Sequence, residues 1–175
     1  VQYCPCLVEL IFSRTYVTSL QLLSYCIFLK KLSFDESSVC SLKGIENLNN
    51  LEELSCVACD ITSLEYVENL INLQKLECFM NDIKSIDQLK HCMKLKYFDC
   101  RDCKIESLIP LRDLSTLEIV ICSNNILTSL NGLESSMMLR ILTCFENMIT
   151  SLDPIRNCIM LQELYCDNNQ IETLE

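Results

Sequence analysis

Residues 95–116 read LKYFDCRDCKIESLIPLRDLST and residues 117–138 read LEIVICSNNILTSLNGLESSMM. Laid over one another without a gap, they match at Leu95 and Leu117, Cys100 and Cys122, Ser107 and Ser129, Leu108 and Leu130, and Leu111 and Leu133. The register extends outward in both directions. Leucine stands at 7, 29, 51, 73, 95, 117, 139 and 161, eight times at a spacing of 22 with no insertion or deletion. With that leucine as position 1, position 4 is Leu10, Leu32, Leu54, Leu76, Phe98, Val120, Leu142 and Leu164. Position 11 is Val17, Val39, Ile61, Ile83, Ile105, Leu127, Ile149 and Ile171, and position 14 runs from Leu20 to Leu174 as Leu in seven repeats and Ile86 in the other. Chance does not align four columns this way, and a fixed period of this length marks a repeat architecture.

One such unit has too few apolar residues to enclose a core. Stacked units bury a continuous one, and stability then becomes roughly additive along the array. Positions 3 to 5 are expected to form a short parallel strand, with positions 1, 4, 11, 14 and 17 pointing inward. The rest of the unit is expected to return through a 3₁₀ or short helical turn on the convex side. Pro110 and Pro154 fall at position 16, where a first-turn proline forfeits no hydrogen bond; Gly44 and Gly132 fall there too, as turn residues. The organisation expected is an N-terminal flank, 1–6, followed by repeats 7–28, 29–50, 51–72, 73–94, 95–116, 117–138 and 139–160 and a partial repeat 161–175. The chain lacks an initiator Met and stops at position 15 of a unit, so it reads as a fragment of a longer one.

The unit LxxLxCxx(N/C)xIxSLxxLxxL resembles the leucine-rich-repeat family over residues 7–175. Its length, and phrases such as IESLIPLRDLSTLE and ITSLDPIRNCIMLQEL, are similar to the subclass holding the type-1 protein phosphatase regulatory subunit and the bacterial internalins. The resemblance implies a right-handed, curved α/β solenoid with its parallel sheet on the concave face. It also implies that Asn81, Asn125, Asn147 and Asn169, at position 9, turn inward to satisfy backbone groups. At position 13, Ser19 through Ser151 and then Thr173 offer short hydroxyls that can bond the turning backbone.

Composition narrows the functional classes. The formal net charge of −10 argues against nucleic acid, whose affinity comes from Lys and Arg displacing phosphate counterions. No stretch approaches the roughly 18 apolar residues of a spanning helix, so membrane insertion is not expected. The apolar start is broken by Glu9 and Arg14 and has no cationic leader, which makes it a poor signal peptide.

Fourteen cysteines invite a disulfide or zinc reading, but most of them fall into repeat columns. Cys56, Cys78, Cys100, Cys122, Cys144 and Cys166 occupy position 6, where the first two repeats carry Phe12 and Phe34. Cys26, Cys92 and Cys158 share position 20 with Leu48, Leu70 and Leu114. Columns that alternate Cys with Phe or Leu are core columns. The pairs Cys56/Cys59 and Cys100/Cys103 look like zinc ligands, yet they lie two rungs and so ~10 Å apart, against ~2.3 Å from ligand to metal. No metal or other cofactor is expected. Parallel neighbours project side by side rather than toward one another, which suits disulfides badly. A free-thiol column fits a reducing compartment, cytoplasmic or nuclear, better than an extracellular one. Cys4 and Cys6 stand outside this pattern.

Catalysis has little support. His91 is the only histidine and falls on the convex side, there is no glycine-rich phosphate loop, and acidic pairs such as Glu52–Glu53 read as solvated surface. On the concave face, outward positions 3, 5, 7 and 8 are mostly polar until the fourth repeat. Position 3 then reads Tyr97, Ile119 and Ile141, position 5 adds Ile121 and Tyr165, and position 7 adds Phe79 and Phe145. A contiguous apolar strip marks a contact site. Asp99, Arg101, Glu77, Asp102, Arg140 and Glu146 are expected to form its polar rim. The function expected is an intracellular protein-interaction scaffold, with a phosphatase or cytoskeletal partner suggested by the resemblance alone. The alternative is a cell-surface adhesin of the internalin kind.

Overall fold

The computed structural model describes residues 4–174; residues 1–3 of the expected flank and Glu175 of the last repeat lie outside them. Every repeat contributes one three-residue strand at positions 3–5: β1 (Glu9–Ile11), β2 (Lys31–Ser33), β3 (Glu53–Ser55), β4 (Lys75–Glu77), β5 (Tyr97–Asp99), β6 (Ile119–Ile121), β7 (Ile141–Thr143) and β8 (Glu163–Tyr165). They pair in chain order into one parallel sheet. The register is constant, each residue facing its counterpart 22 later, as Tyr97 faces Ile119 and Ile119 faces Ile141.

The core is the set of inward columns. Leu32, Leu54, Leu76, Phe98, Val120 and Leu142 are buried at position 4, and Cys56, Cys78, Cys100, Cys122 and Cys144 at position 6. Burial pushes the thiols of Cys56, Cys78, Cys100 and Cys122 well above their ordinary range and those of Cys92 and Cys144 to about 12. No disulfide joins any of the cysteines among the described residues. The end rungs depart from the expected pattern. Val17 and Leu174, read as inward, are 40% and 83% exposed, because each is covered from one side only.

Three polar devices hold the turns. The position-9 asparagines behave as expected: Asn125 Oδ1 accepts the Ile105 N–H at 2.9 Å, while its Nδ2 donates to the carbonyls of Cys100, Cys122 and Ser123. Where this column carries cysteine, the thiol takes over part of that work, Cys59 Sγ donating to the Phe34 carbonyl and Cys103 Sγ to that of Cys78. The two CxxC pairs are therefore each one core residue and one weak substitute for asparagine.

At position 13, seven serines from Ser19 to Ser151 each accept the N–H two residues on, at 3.0–3.3 Å. Position 16 then decides the turn. Leu22, Tyr66, Gln88, Pro110 and Pro154 lead into or lie within 3₁₀ segments. Gly44 and Gly132 instead adopt φ of +119° and +111°, where a Cβ would meet the preceding rung's backbone at 2.4 Å or less. Each donates its N–H to the carboxylate of Glu46 or Glu134, and no 3₁₀ segment forms in those repeats.

Each unit closes with a bond from the position-1 N–H to the position-20 carbonyl, as from Leu29 to Cys26 and from Leu95 to Cys92. Leu7 makes the same bond to Cys4 at 3.1 Å. The closing turn thus reaches into residues that the sequence placed in a flank.

Candidate interaction face

Position 3 runs up the outward face of the sheet and changes character half-way. In the first four rungs it alternates as Glu9, Lys31, Glu53, Lys75. Lys31 stands between two carboxylates, 3.4 Å from Glu9 and 3.6 Å from Glu53. Lys75 meets Glu77 at 3.0 Å and lies over the Tyr97 ring, 5.0 Å from its centroid. Position 7 and its neighbours add a polar network here: Asp35 accepts the Ser33 and Ser55 hydroxyls and the Val57 N–H, beside a shallow polar cavity of about 250 Å³. These groups satisfy one another.

From the fifth rung the same column is Tyr97, Ile119, Ile141, on three adjacent strands in direct register. All three are half-buried, as is Ile121 two residues along β6 from Ile119. Phe145 is half-buried on the seventh rung, two residues beyond β7. The structure brings these five together. Phe79 lies at the strip's N-terminal margin, its ring covered by the Arg101 guanidinium at 4.5 Å. Tyr165 sits beyond Thr143 on β8, 48% exposed, its hydroxyl donating to Glu163. Among the rim residues, Asp102, Arg140 and Glu146 are exposed and Glu77 half-buried.

One residue of the expected rim is misplaced by the sequence reading. Asp99 points outward in register but is 0% exposed. Its Oδ2 accepts Arg101 Nη2 at 2.7 Å and its Oδ1 accepts the Arg101 N–H. Burial raises its carboxyl above the ordinary range, opposed by Arg101. Arg101 is half-exposed, and Asp99 lies buried beneath it. Ser123 is likewise fully buried at an outward position, between Arg101 and Phe145 on the flanking rungs. On a concave surface, large neighbours close over a small side chain.

The sequence reading missed the ion pairs that link equivalent positions of successive rungs: Arg14–Glu36, Lys30–Glu52, Lys96–Glu118 and Asp82–Lys104. Opposite charges spaced by 22 were the available signal. Exposed pairs of this kind contribute little stability each, but Lys96–Glu118 and Lys104–Asp82 neutralise charge on or beside the strip's own rungs. Among the described residues, no group of three or more His, Cys, Asp or Glu is placed to hold a metal. Among these residues no helix is long and apolar enough to cross a membrane.

No protein-family model matches the sequence, and no curated protein does. Solved structures do match the fold. Internalin C2 from Listeria monocytogenes superposes with a TM-score of 0.91 at 24% identity, over 93% of this chain and 72% of its own. InlJ from the same organism, whose functional domain includes a cysteine ladder, superposes at 0.73 and 23% identity over 97% of this chain. The plant peptide hormone receptor RGFR1, in complex with RGF2, superposes at 0.83 and 18% identity over 94%. The chain spans 41% of the InlJ chain and 29% of the receptor's. At these identities the likeness is one of architecture: the chain is a curved leucine-rich-repeat solenoid.

Proposed function

We propose that this chain is a protein-binding scaffold whose partner seats on the concave strip of Tyr97, Ile119, Ile121, Ile141 and Phe145, with Arg101, Phe79 and Tyr165 at its margins. The observation that carries the reading is the break in position 3. Four rungs of mutually neutralised charge give way to three adjacent rungs of outward apolar side chains, while the core behind them is already filled by Phe98, Val120 and Leu142. These apolar groups are not needed for folding, and burial of such an anchor by a partner contributes about 2 kcal/mol or more at an interface centre. The receptor complex and the internalin likenesses support a binding role rather than a catalytic one. A regulatory role toward a phosphatase or a cytoskeletal protein rests on the repeat's sequence resemblance alone.

The buried thiols favour a reducing, intracellular setting. A second reading, a surface adhesin of the internalin kind, is favoured by one observation: the position-6 cysteines form a column, and InlJ includes a cysteine ladder. The test is capture from the native source by wild type, Ile119→Asp and Phe145→Asp. Loss of the same partner with both variants supports the concave site, and retention by both refutes it. Thiol counting on the native protein separates the two settings.

A further inference from the structure

None of the six methionines lies in the core: Met80, Met93, Met137, Met138, Met148 and Met160 are all 40–58% exposed. Methionine is ordinarily among the buried residue types, so this placement is selective. Four of the six, with Ile27, Phe28, Ile71 and Ile159, fall at positions 21 and 22, the edge where each convex turn leads into the next strand. Met137 and Met138 on one rung and Ile159 and Met160 on the next form a continuous patch, and beyond the polar rung of Ser115 the position-21 column resumes with Met93 and Ile71.

This row is not required by the fold. At position 22 other repeats carry a side chain that stitches to the preceding rung. Asn50 donates to the Ile27 carbonyl, Asn72 to that of Asn49 and Thr116 to that of Met93. Met138 and Met160 forgo that bond.

The charges beside the row differ from those elsewhere. Among the described residues, seven cations make no ion pair: Lys43, Lys84 and five that flank this edge. Lys90, Arg112 and Arg156 occupy position 18, upstream in the same turns. Lys94 shares position 22, and Arg140 follows Met138 by two residues. Of the carboxylates nearby, Glu134 is engaged by the Gly132 N–H, Glu118 in the column of Arg140 by Lys96 and Asp87 beside Lys90 by the Ser85 hydroxyl, which leaves Asp113 and Glu68.

We propose that this edge is a second docking surface, and that its occupant is an acidic amphipathic helix of a partner protein. The spacing fits, since rungs repeat every ~4.8 Å and a helix presents its apolar stripe every ~5.4 Å. Three turns therefore stay roughly in step with the four rungs from Met93 to Ile159, of which only the rung of Ser115 and Thr116 is polar. Flexible thioethers accommodate such a stripe, and the Lys and Arg on both sides, which lack a carboxylate partner although Lys94 and Arg140 donate to Asn72 and Gln162, meet carboxylates flanking it. A row only two side chains wide, on a chain of net charge −10, does not suit an anionic bilayer.

The probe is a fluorescent 18-residue peptide with leucines at helical spacing and glutamate elsewhere, titrated by anisotropy against the whole chain, with a lysine-for-glutamate peptide as control. Saturable binding of the acidic peptide alone is expected. It should weaken about tenfold or more in Met137→Asp/Ile159→Asp and detectably in Arg112→Glu/Arg156→Glu, with thermal midpoints unchanged and with Ile119→Asp binding as wild type. Absence of binding, equal binding of the lysine peptide, or full binding by the Met137→Asp/Ile159→Asp variant overturns the proposal. So does a finding that the variant's chief loss is binding to phosphatidylserine vesicles, which makes the edge a membrane contact. Loss instead of a concentration-dependent dimer makes it a self-contact.

Discussion

Arg101 holds its guanidinium between two neighbours, over the Phe79 ring at 4.5 Å and against the buried Asp99 carboxylate at 2.7 Å. The pairing opposes the rise in the Asp99 carboxyl that burial imposes. Arg101→Ala removes that opposition, so the folded chain then holds the Asp99 proton to a higher pH than the unfolded chain does. Stability from a raised carboxyl is present below the unfolded value of about 4 and lost as pH rises. Urea unfolding should therefore show Arg101→Ala losing about 1–3 kcal/mol at pH 7 and clearly less at pH 4. Equal losses at both would mean the ion pair is not what stabilises the site.

Asn125 satisfies four backbone groups inside the array. Asn125→Ala strands several of them away from water, at a cost of about 2–4 kcal/mol. Asn169 makes the equivalent bonds on the half-buried eighth rung, where water can replace them. Asn169→Ala should cost less than half as much by denaturant titration.

The thiols give a second pH dependence. Burial favours their neutral form, so above about pH 8.5 the unfolded chain loses its thiol protons before the folded one and gains stability relative to it. The urea midpoint should hold up to about pH 8 and fall steadily between about pH 9 and pH 11. Cys92→Leu, the residue that three other repeats carry at position 20, should make that fall shallower. An unaltered slope would show that Cys92 ionises as freely in the fold as outside it.

Ile119 and Leu142 lie on adjacent strands and opposite faces. Ile119→Asp is expected to cost about 1 kcal/mol, since the side chain is already half in water. Leu142→Asp places a carboxylate in a fully buried column and should abolish cooperative unfolding. If Ile119→Asp also unfolds the chain, the outward register is wrong.

The inward columns and the strand positions were legible in the sequence, because a gapless 22-residue period fixes which residues share an environment. The strip was legible for the same reason: Tyr97, Ile119 and Ile141 share a column. Register tells which way a side chain points, but not what its neighbours do to it, and Asp99 and Ser123 disappear beneath larger side chains for that reason. The roles of Cys59 and Cys103 were half legible. Their column was visible, while the thiol-to-carbonyl bonds that replace the asparagine's emerge only when successive loops stack. The exposed methionines at positions 21 and 22 could have been found by following those columns, which carry no leucine and so drew no notice.

The concave site itself is best tested by placing a photo-crosslinking amino acid at Ile141, at the edge residue Met137, or at the convex Lys43 in otherwise native protein. Exposure to the native source should give a discrete adduct from position 141 that disappears when Ile119→Asp is added, while Lys43 yields none. The same adduct from Lys43, or an adduct at 141 that persists undiminished with Ile119→Asp, would contradict a partner seated on the strip.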